Sequence, residues 1–157
     1  MIGLFVRAAS QMSYQQLLIR KALEGEPVRR FMVTDPISVP SDLSIEALVE
    51  DVVYVSHHKM FPVFEDGRLE GCVTTRQIKE IPRAEWARHT VRDIAKPCSD
   101  ENTIHVDADA MDALARMSRT DNGRLMVIED HQLVGVVSLK DLLRFIEVKV
   151  DLESDEQ

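Results

Sequence analysis

The stretch Gly135-Val136-Val137-Ser138-Leu139-Lys140-Asp141-Leu142 decides the fold, because its pattern occurs twice. Its counterpart is Gly71-Cys72-Val73-Thr74-Thr75-Arg76-Gln77-Ile78, at an offset of 135 − 71 = 64. Upstream, Val28-Arg29-Arg30-Phe31-Met32 returns as Val91-Arg92-Asp93-Ile94-Ala95. Two copies are too few for a solenoid. The repetition therefore predicts one compact body with pseudo-two-fold symmetry, in which the cleft between the copies is the place to look for function.

The composition excludes several classes of function. Of the 157 residues, 45% are hydrophobic and 29% charged, which is ordinary for a globular protein. The net charge of −8 argues against a general nucleic-acid binder, which needs clustered cations. Two cysteines without metal-ligand spacing indicate reduced thiols and a cytoplasmic setting. No apolar run is long enough to span a membrane.

The predicted elements follow the same order in both copies: strand, helix, strand, strand, helix. This order predicts an α+β fold of two pseudo-symmetric repeats, preceded by an amino-terminal helix. The predicted divisions are an amino-terminal segment 1–27 with a helix over 4–24, a first repeat 28–82, a linker 83–102 with a short helix over 91–95, a second repeat 91–148 that includes its lead-in, and an acidic tail 149–157. The opening strands are predicted at 37–39 and 104–106, and the last helix at 139–148.

In each copy the second strand of a hairpin runs directly into a helix through Gly-h-h-[Ser/Thr]-x-x-polar, where h is apolar. A helix N-terminus exposes unpaired N–H groups and suits a phosphate. Ser138 and Asp141 supply a hydroxyl and a carboxylate that suit a phosphate and a ribose diol, with Lys140 as a nearby cation. Thr74, Gln77 and Arg76 are the first copy's equivalents. The same spacing also matches a capping box, which only satisfies backbone donors. Both interpretations stay open.

This doubled unit resembles a CBS-domain pair, or Bateman module, over about residues 28–148. The resemblance implies that the repeats pack as a disc and that two discs pair as a homodimer. It also implies regulation of an attached protein by an adenosine-containing ligand: AMP, ADP, ATP or S-adenosylmethionine. Carried over by residue, Ser138 meets phosphate or ribose, and Asp141 meets the ribose hydroxyls. Ile104 and His105 flank the adenine through backbone contacts. The corresponding residues of the first copy are Thr74, Gln77, Ile37 and Ser38.

Gln77 departs from the family pattern, which has a carboxylate at this position. A hydrogen bond from a diol to a charged group contributes roughly 1.5–3 kcal/mol, against about 1 kcal/mol for a neutral one. The loss weakens a site about tenfold or more. We therefore predict that the site of the second copy binds more tightly and that the first is weaker or empty.

The amino-terminal stretches Gly3–Ala9, Ser13–Gln16 and Leu23–Arg29 are similar to the cytosolic segment after the last membrane helix of site-2-protease-type intramembrane zinc metalloproteases. This resemblance implies a regulatory region attached to a membrane protease, on its cytosolic side. The His-Glu-x-x-His motif is absent from this sequence, so we expect no enzymatic activity here and zinc only in the parent protein. The alternative is a ligand-free dimerisation or docking module of the same parent.

Overall fold

The computed structural model describes residues 19–154 of the chain. Two repeats of mixed α and β structure are present, as the sequence predicted. The helices are α1 (residues 19–23), α2 (three consecutive segments, Ile45–Ala47, Leu48–Val53 and Tyr54–Ser56), α3 (Thr75–Lys79), α4 (Val91–Ile94), α5 (Ala110–Thr120) and α6 (Leu139–Ser154). The strands are β1 (Val39–Pro40), β2 (Met60–Glu65), β3 (Arg68–Thr74), β4 (Lys96–Pro97), β5 (Thr103–His105), β6 (Arg124–Glu129) and β7 (Gln132–Ser138). Short 3-10 turns lie at Val28–Arg30 and Arg83–Glu85.

Each repeat is built on one sheet. The first has strand order β1-β2-β3-β4 and the second β5-β6-β7. In both, the opening strand runs parallel to the next strand, which forms an antiparallel hairpin with the third. Both hairpins also carry a register irregularity at the same point, after Val63 in β2 and after Val127 in β6. The duplication seen in the sequence therefore extends to the detailed pairing of the strands.

Each sheet buries its own apolar core. In the first repeat, Ile45, Leu48 and Phe61 are fully buried; in the second, Leu125 and Leu142 are fully buried. A smaller cluster of Met60, Cys72 and Met126 draws residues from both repeats and joins them. Apolar burial holds the two halves together, because each fully buried side chain of this size contributes roughly 1.5–3 kcal/mol.

We call residues 28–32 and 91–95, which precede the opening strand of each repeat, the lead-ins. Each lead-in packs against the other repeat. The backbone N–H of Val28 donates to the carbonyl oxygen of Ala108 at 2.8 Å, in the second repeat. The backbone N–H of Val91 donates to Leu43 at 2.8 Å, in the first. Val28 is fully buried in the core of the second repeat, and Val91 in that of the first. The predicted boundaries placed each lead-in with the repeat that follows it in sequence, whereas each packs on the other repeat.

The same exchange completes the helix starts. Ala110, the first residue of α5, donates its N–H to the carbonyl of Glu26 at 2.7 Å. Ile45, the first residue of α2, donates its N–H to the carbonyl of His89 at 2.9 Å. The N–H groups of a first turn have no partner within their own helix. Glu26 and His89, which lie just before the two lead-ins, therefore each accept a hydrogen bond from the first N–H of a helix in the opposite repeat.

The repeated glycines mark places where a lead-in crosses a sheet. A Cβ on Gly71 would lie 1.9 Å from the carbonyl oxygen of Lys96, and a Cβ on Gly135 would lie 2.7 Å from that of Val33. Lys96 pairs with Cys72, and Val33 forms the equivalent bridge to Val136. Glycine is needed at both positions because no side chain fits between the crossing backbones.

Helix α2 holds one residue more than α5. Its caps are Ser44 and His57, whereas those of α5 are Asp109 and Asp121, which are one residue closer in sequence. The extra residue is accommodated by the π-helical segment Leu48–Val53, since a π-helix bonds each residue one position further along the chain.

Three sequence predictions need correction or completion. The strand predicted at 37–39 lies at Val39–Pro40, so Ile37 and Ser38 precede it. The last helix continues beyond its predicted end to Ser154, which makes most of the predicted acidic tail helical. A tertiary contact accompanies the extension, since Lys149 Nζ donates to the carbonyl of Ala22 at 3.2 Å; within the predicted part, the ring centroids of Phe145 and Phe31 lie 4.9 Å apart. The amino-terminal helix is confirmed for residues 19–23, and its predicted part at 4–18 lies outside the described residues.

Candidate functional site

The motif of the second copy forms a local cap at the start of α6. Ser138 Oγ donates to Asp141 Oδ2 at 2.9 Å, and the backbone N–H of Asp141 donates to Ser138 Oγ at 3.2 Å. Both residues are partly buried. The hydroxyl and one carboxylate oxygen are thus held together in one arrangement, which leaves the second carboxylate oxygen without a hydrogen bond to the described residues.

The motif of the first copy forms a full capping box at the start of α3. The N–H of Thr74 donates to Gln77 Oε1 at 2.8 Å, and the N–H of Gln77 donates to Thr74 Oγ1 at 3.4 Å. Gln77 is buried, with 7% of its surface exposed. The capping interpretation therefore holds for both motifs, and it does not exclude a ligand at the same helix ends.

A cavity of about 490 Å³ opens beside the first motif. Its walls come from both repeats: the end of β3 and the start of α3, the segment that follows β4, and the turn that follows α5. The lining residues are Lys59, Met60, Cys72, Thr74, Thr75, Arg76, Gln77, Glu80, Lys96, Pro97, Ser99, Glu101, Asn102, Thr120, Asp121, Asn122, Gly123 and Arg124. This volume suits a small molecule with the dimensions of a nucleotide.

The lining of this cavity is richer in cations than the chain as a whole. Four lining residues are basic, namely Lys59, Arg76, Lys96 and Arg124, and three are acidic. The chain as a whole carries −8. One ion pair spans the two repeats here: Arg76 Nη1 lies 3.6 Å from Asp121 Oδ2, with both side chains largely exposed. An exposed pair of this kind is weak, so Arg76 is available to an anionic ligand.

Asn102 organises the wall that the second repeat contributes. Its Nδ2 donates to the carbonyl of Pro97 at 3.0 Å, and its Oδ1 accepts from the N–H of Ser99 at 2.9 Å. Its amide also lies 3.7 Å from the sulfur of Cys72 on β3. Burial raises the pKa of the Cys72 thiol to about 11, with a smaller contribution from Cys98 nearby. Cys72 is therefore a neutral thiol at physiological pH.

The predicted adenine-flanking residues of the second copy do not lie beside Ser138. Ile104 is a core residue with 3% of its surface exposed. His105 is exposed, and its Nδ1 accepts a hydrogen bond from the N–H of Asp107 at 3.1 Å. His105 pairs with Ile128 of β6, whereas Ser138 pairs with Arg124, four residues away along the same strand. This separation is about 13 Å along the strand.

Ile37 and Ser38 do not line the cavity at Thr74 and Gln77 either. Both are exposed and lie between the crossing at Val33 and strand β1. Among the predicted site residues, the structure brings Thr74, Arg76 and Gln77 into this cavity.

Lys140 lines a second cavity, also of about 490 Å³, on the outer face of α6. Gly123 and Arg124 border both cavities, so the two adjoin. The remaining lining residues are Leu139, Leu143, Arg144 and Glu147. Ser138 and Asp141 are not among them.

Sequence reasoning missed the cavity residues that follow β4 and α5, among them Asn102 and Asp121. The residues after β4 could have been found from the duplicated sequence. The chain crosses the sheet at Lys96 as it does at Val33 in the other copy. In the described residues, no group of three or more His, Cys, Asp and Glu side chains is placed to hold a metal ion. Nor does any helix within 19–154 combine the length and apolar character that crossing a membrane requires.

Comparison with known sequences identifies one family twice in the chain. The CBS domain profile matches residues 28–83 and 91–148. Zinc metalloprotease MJ0392 of Methanocaldococcus jannaschii is 30% identical over 159 aligned positions, which cover 98% of this chain and 42% of the relative. Rip3 of Mycobacterium tuberculosis is 27% identical over 149 positions, which cover 94% of this chain and 38% of Rip3. The chain thus spans about two fifths of the length of these relatives.

Solved structures with the same fold include CBS domains. The CBS domain of a bacterial CNNM/CorC family Mg²⁺ transporter, in complex with ATP, superposes with a TM-score of 0.71 at 20% identity and covers 85% of this chain and 97% of its own. The CBS domain pair of protein MJ0100, in complex with 5′-methylthioadenosine and S-adenosyl-L-methionine, gives 0.68 at 22% identity, over 78% of this chain and 97% of its own.

Proposed function

This chain belongs to the CBS-domain family, and from that premise we propose that it binds an adenosine-containing ligand between its repeats and thereby modulates an attached membrane metalloprotease. The CBS pair is a regulatory module; the ligand, the protease and the effect on it are the proposal. One observation carries it, namely that a cavity of nucleotide size is walled by both repeats at a repeated helix-start motif.

A ligand that touches both repeats can act as a regulator. Thr74 and Gln77 belong to the first repeat, whereas Asn102 and Thr120 belong to the second. A ligand shifts an equilibrium between two arrangements only by its differential affinity for them. A molecule that bridges the repeats has such a difference, since a change in their relative position alters its contacts.

The cavity lining suits an adenosine ligand with phosphate groups. The hydroxyls of Thr74, Thr75 and Ser99 are available as donors and acceptors for ribose oxygens. Arg76 and Lys96 add positive charge for phosphate. The apolar surface of Met60 and Pro97 offers contact for a base. The ligands named for the solved neighbours, ATP in one and 5′-methylthioadenosine with S-adenosyl-L-methionine in the other, are of this class.

The duplicated geometry supports our proposal of a second site at Ser138 and Asp141. In one copy, the chain crosses the sheet at Lys96 and Pro97, and the residues after this crossing line the cavity at Thr74. The equivalent crossing in the other copy is at Val33, so we expect the residues after it to lie beside Ser138. We therefore propose that Ile37 and Ser38 form a site with Asp141 rather than with Gln77. The carboxylate of Asp141 is a better acceptor for a ribose diol than the amide of Gln77, whose oxygen already caps Thr74. We keep the prediction that the site of the second copy is the tighter one.

Calorimetric titration with AMP, ATP and S-adenosylmethionine tests the binding. We expect at least one to bind with a Kd below 1 mM, about 4 kcal/mol or more of binding free energy. Asp141→Ala lowers affinity about tenfold at the tighter site, and Gln77→Ala has a smaller effect. Asp112→Ala, exposed on α5, is the matched control and leaves affinity unchanged. Binding of none of the three ligands below millimolar, or an Asp141→Ala variant with native affinity, contradicts the assignment.

Attachment to a protease rests on the relatives, one of which is named a zinc metalloprotease that extends well beyond this region. The test is cleavage of a membrane substrate by the full-length parent protein with and without the ligand found by titration. We expect the rate to change with ligand and the response to disappear with Asp141→Ala. An unaltered rate at saturating ligand contradicts modulation while leaving the binding result intact.

A ligand-free dimerisation or docking module is the second candidate. The observation that favours it is that a hydroxyl and a side-chain oxygen of each motif already take part in a helix cap. Sedimentation analysis separates the two functions. A dimer whose stability does not change with AMP, ATP or S-adenosylmethionine supports the second candidate.

A further inference from the structure

The second cavity, on the outer face of α6, has no part in the proposed function. Gly123 and Arg124 form one wall of it, and one face of α6 from Leu139 to Glu147 forms the other. The N–H of Leu139 donates to the carbonyl of Gly123 at 2.7 Å, which fixes the turn against the start of the helix. We call this cavity the α6 groove.

The charged residues that line the α6 groove are mainly cations. Its basic residues are Arg124, Lys140 and Arg144, and Glu147 is its acidic residue. Within residues 19–154, none of the three cations makes an ion pair of 4.0 Å or less. The chain as a whole carries −8, so the groove attracts anions against the overall charge of the protein.

The three cations lie in the half of the groove nearest to the start of α6. Lys140 and Arg144 are four residues apart, about 6 Å along one face of the helix. Arg124 borders the groove from the opposite wall, since it pairs in the sheet with Ser138, the residue before α6. Glu147 lies seven residues beyond Lys140, about 10.5 Å along the helix. The positive charge is therefore concentrated at one end of the groove.

Two further features favour an anion at this end of the groove. Lys140 and Arg144 are both exposed and form a like-charge pair, which slightly destabilises a helix, and an anion between them removes the repulsion. Leu139 and Leu143 give the groove apolar walls. Apolar walls strengthen the attraction between the cations and an anion, because they lower the local dielectric constant.

We propose that the α6 groove binds a phosphate chain, and that this chain is the tail of a nucleotide held in the adjoining cavity at Thr74. Gly123 and Arg124 line both cavities, so the two are continuous at this point. The long phosphate chain of ATP extends past Arg124 into the groove, whereas the single phosphate of AMP stays in the cavity and S-adenosylmethionine has none. The inference rests on the proposed ligand cavity, and it narrows the ligand to a nucleotide with several phosphates.

Calorimetric titration in magnesium-free buffer tests the groove, with Asp141→Ala as the background so that the cavity at Thr74 is the nucleotide site. We expect ATP to bind about tenfold more tightly than AMP. Lys140→Gln combined with Arg144→Gln lowers the affinity for ATP about tenfold, or about threefold for each exposed cation, and leaves the affinity for AMP unchanged. Arg68→Gln combined with Arg88→Gln is the matched control. These two arginines are exposed and line neither cavity, so both affinities stay as they were.

Inorganic tripolyphosphate separates the two sources of a phosphate chain. We expect it to bind the native protein, to bind the Lys140 and Arg144 double variant more weakly, and to compete with ATP but not with adenosine. If tripolyphosphate binds in this way and no nucleotide does, the proposed nucleotide function fails and the groove is a site for free polyphosphate. A preference for ATP over AMP that survives the double variant overturns the inference. Equal binding of tripolyphosphate by the native protein and the double variant, or binding by neither, overturns it as well.

Discussion

The backbone N–H of Val28 donates to the carbonyl oxygen of Ala108 across 2.8 Å, which fixes the first lead-in on the second repeat. The bond from Val91 to Leu43, also 2.8 Å, does the same in the opposite direction. Neither repeat has a complete core without a segment that the sequence assigns to its partner. Each repeat therefore completes the core of the other.

The exchanged packing predicts which repeat is destabilised when a buried valine of a lead-in is shortened to alanine. Val28→Ala destabilises the protein by about 2 kcal/mol through lost burial, and Val91→Ala does the same. Hydrogen exchange distinguishes them: Val28→Ala lowers the protection of amides in β5–β7, and Val91→Ala lowers that in β1–β3. Lowered protection confined to the repeat nearest in sequence contradicts the exchanged packing.

Glycine replacements test the two crossings. Gly71→Ala is expected to be the more damaging, since its Cβ meets the Lys96 carbonyl at 1.9 Å against 2.7 Å from Gly135 to Val33. Overpacking against backbone costs about 1–3 kcal/mol or more, measured by urea unfolding. Gly123→Ala is the matched control, because nothing lies within 4 Å of its added Cβ. If Gly71→Ala has the same urea midpoint of unfolding as the native protein, the two backbones do not approach this closely.

Asp109 joins α1 to α5. Its Oδ1 accepts from the N–H of Met111 at 2.8 Å, and its Oδ2 accepts from the N–H of Gly25, also at 2.8 Å. Gly25 has a φ of +84°, which glycine adopts without strain. Asp109→Ala removes both bonds and costs about 1–2 kcal/mol of unfolding free energy. Asp112→Ala, in the first turn of the same helix, is expected to cost less; an equal loss shows that Asp109 is no more than a favourable charge near the helix start.

Because the Cys72 thiol is buried, we expect the free energy of unfolding to fall at alkaline pH. Its pKa is raised from 9.0 to about 11 by burial, so the folded protein holds this proton more tightly than the unfolded chain. The stabilisation is complete below pH 9 and is lost as the pH rises towards 11, by about 1.4 kcal/mol per pH unit. Urea unfolding of the native chain and of Cys72→Ala at pH 8, 9 and 10 isolates this effect from other titrating groups. A constant difference between the two proteins over this range contradicts a buried neutral thiol.

The helix starts at Thr75 and Leu139 were predictable because their signals are local. A hydroxyl followed three residues later by a polar side chain satisfies backbone donors wherever the rest of the chain lies. The end of α6 was not predictable in this way. The residues from Asp151 onward are mostly acidic and resemble a tail, yet the helix continues to Ser154, and Lys149 Nζ beyond its predicted end donates to the carbonyl of Ala22 in α1.

The candidate cleft was predictable only in part, for the same reason. Thr74 and Gln77 were found by their motif, whereas Asn102 and Asp121 carry no motif and reach the cavity through the path of the chain. His105 was assigned to a site by resemblance, but the pairing of β5 with β6 sets it well away from Ser138.

The sequence by itself determined the duplication, the order of the elements and the positions of the capped helices, since apolar periodicity and hydrogen bonds between near neighbours decide these. The tertiary structure alone decided which core each lead-in enters and which residues share the cleft. Val28 and Val91 are both valines in similar surroundings, and either core accepts such a side chain. Their partners were fixed by where the intervening chain leads, through contacts between residues far apart in sequence.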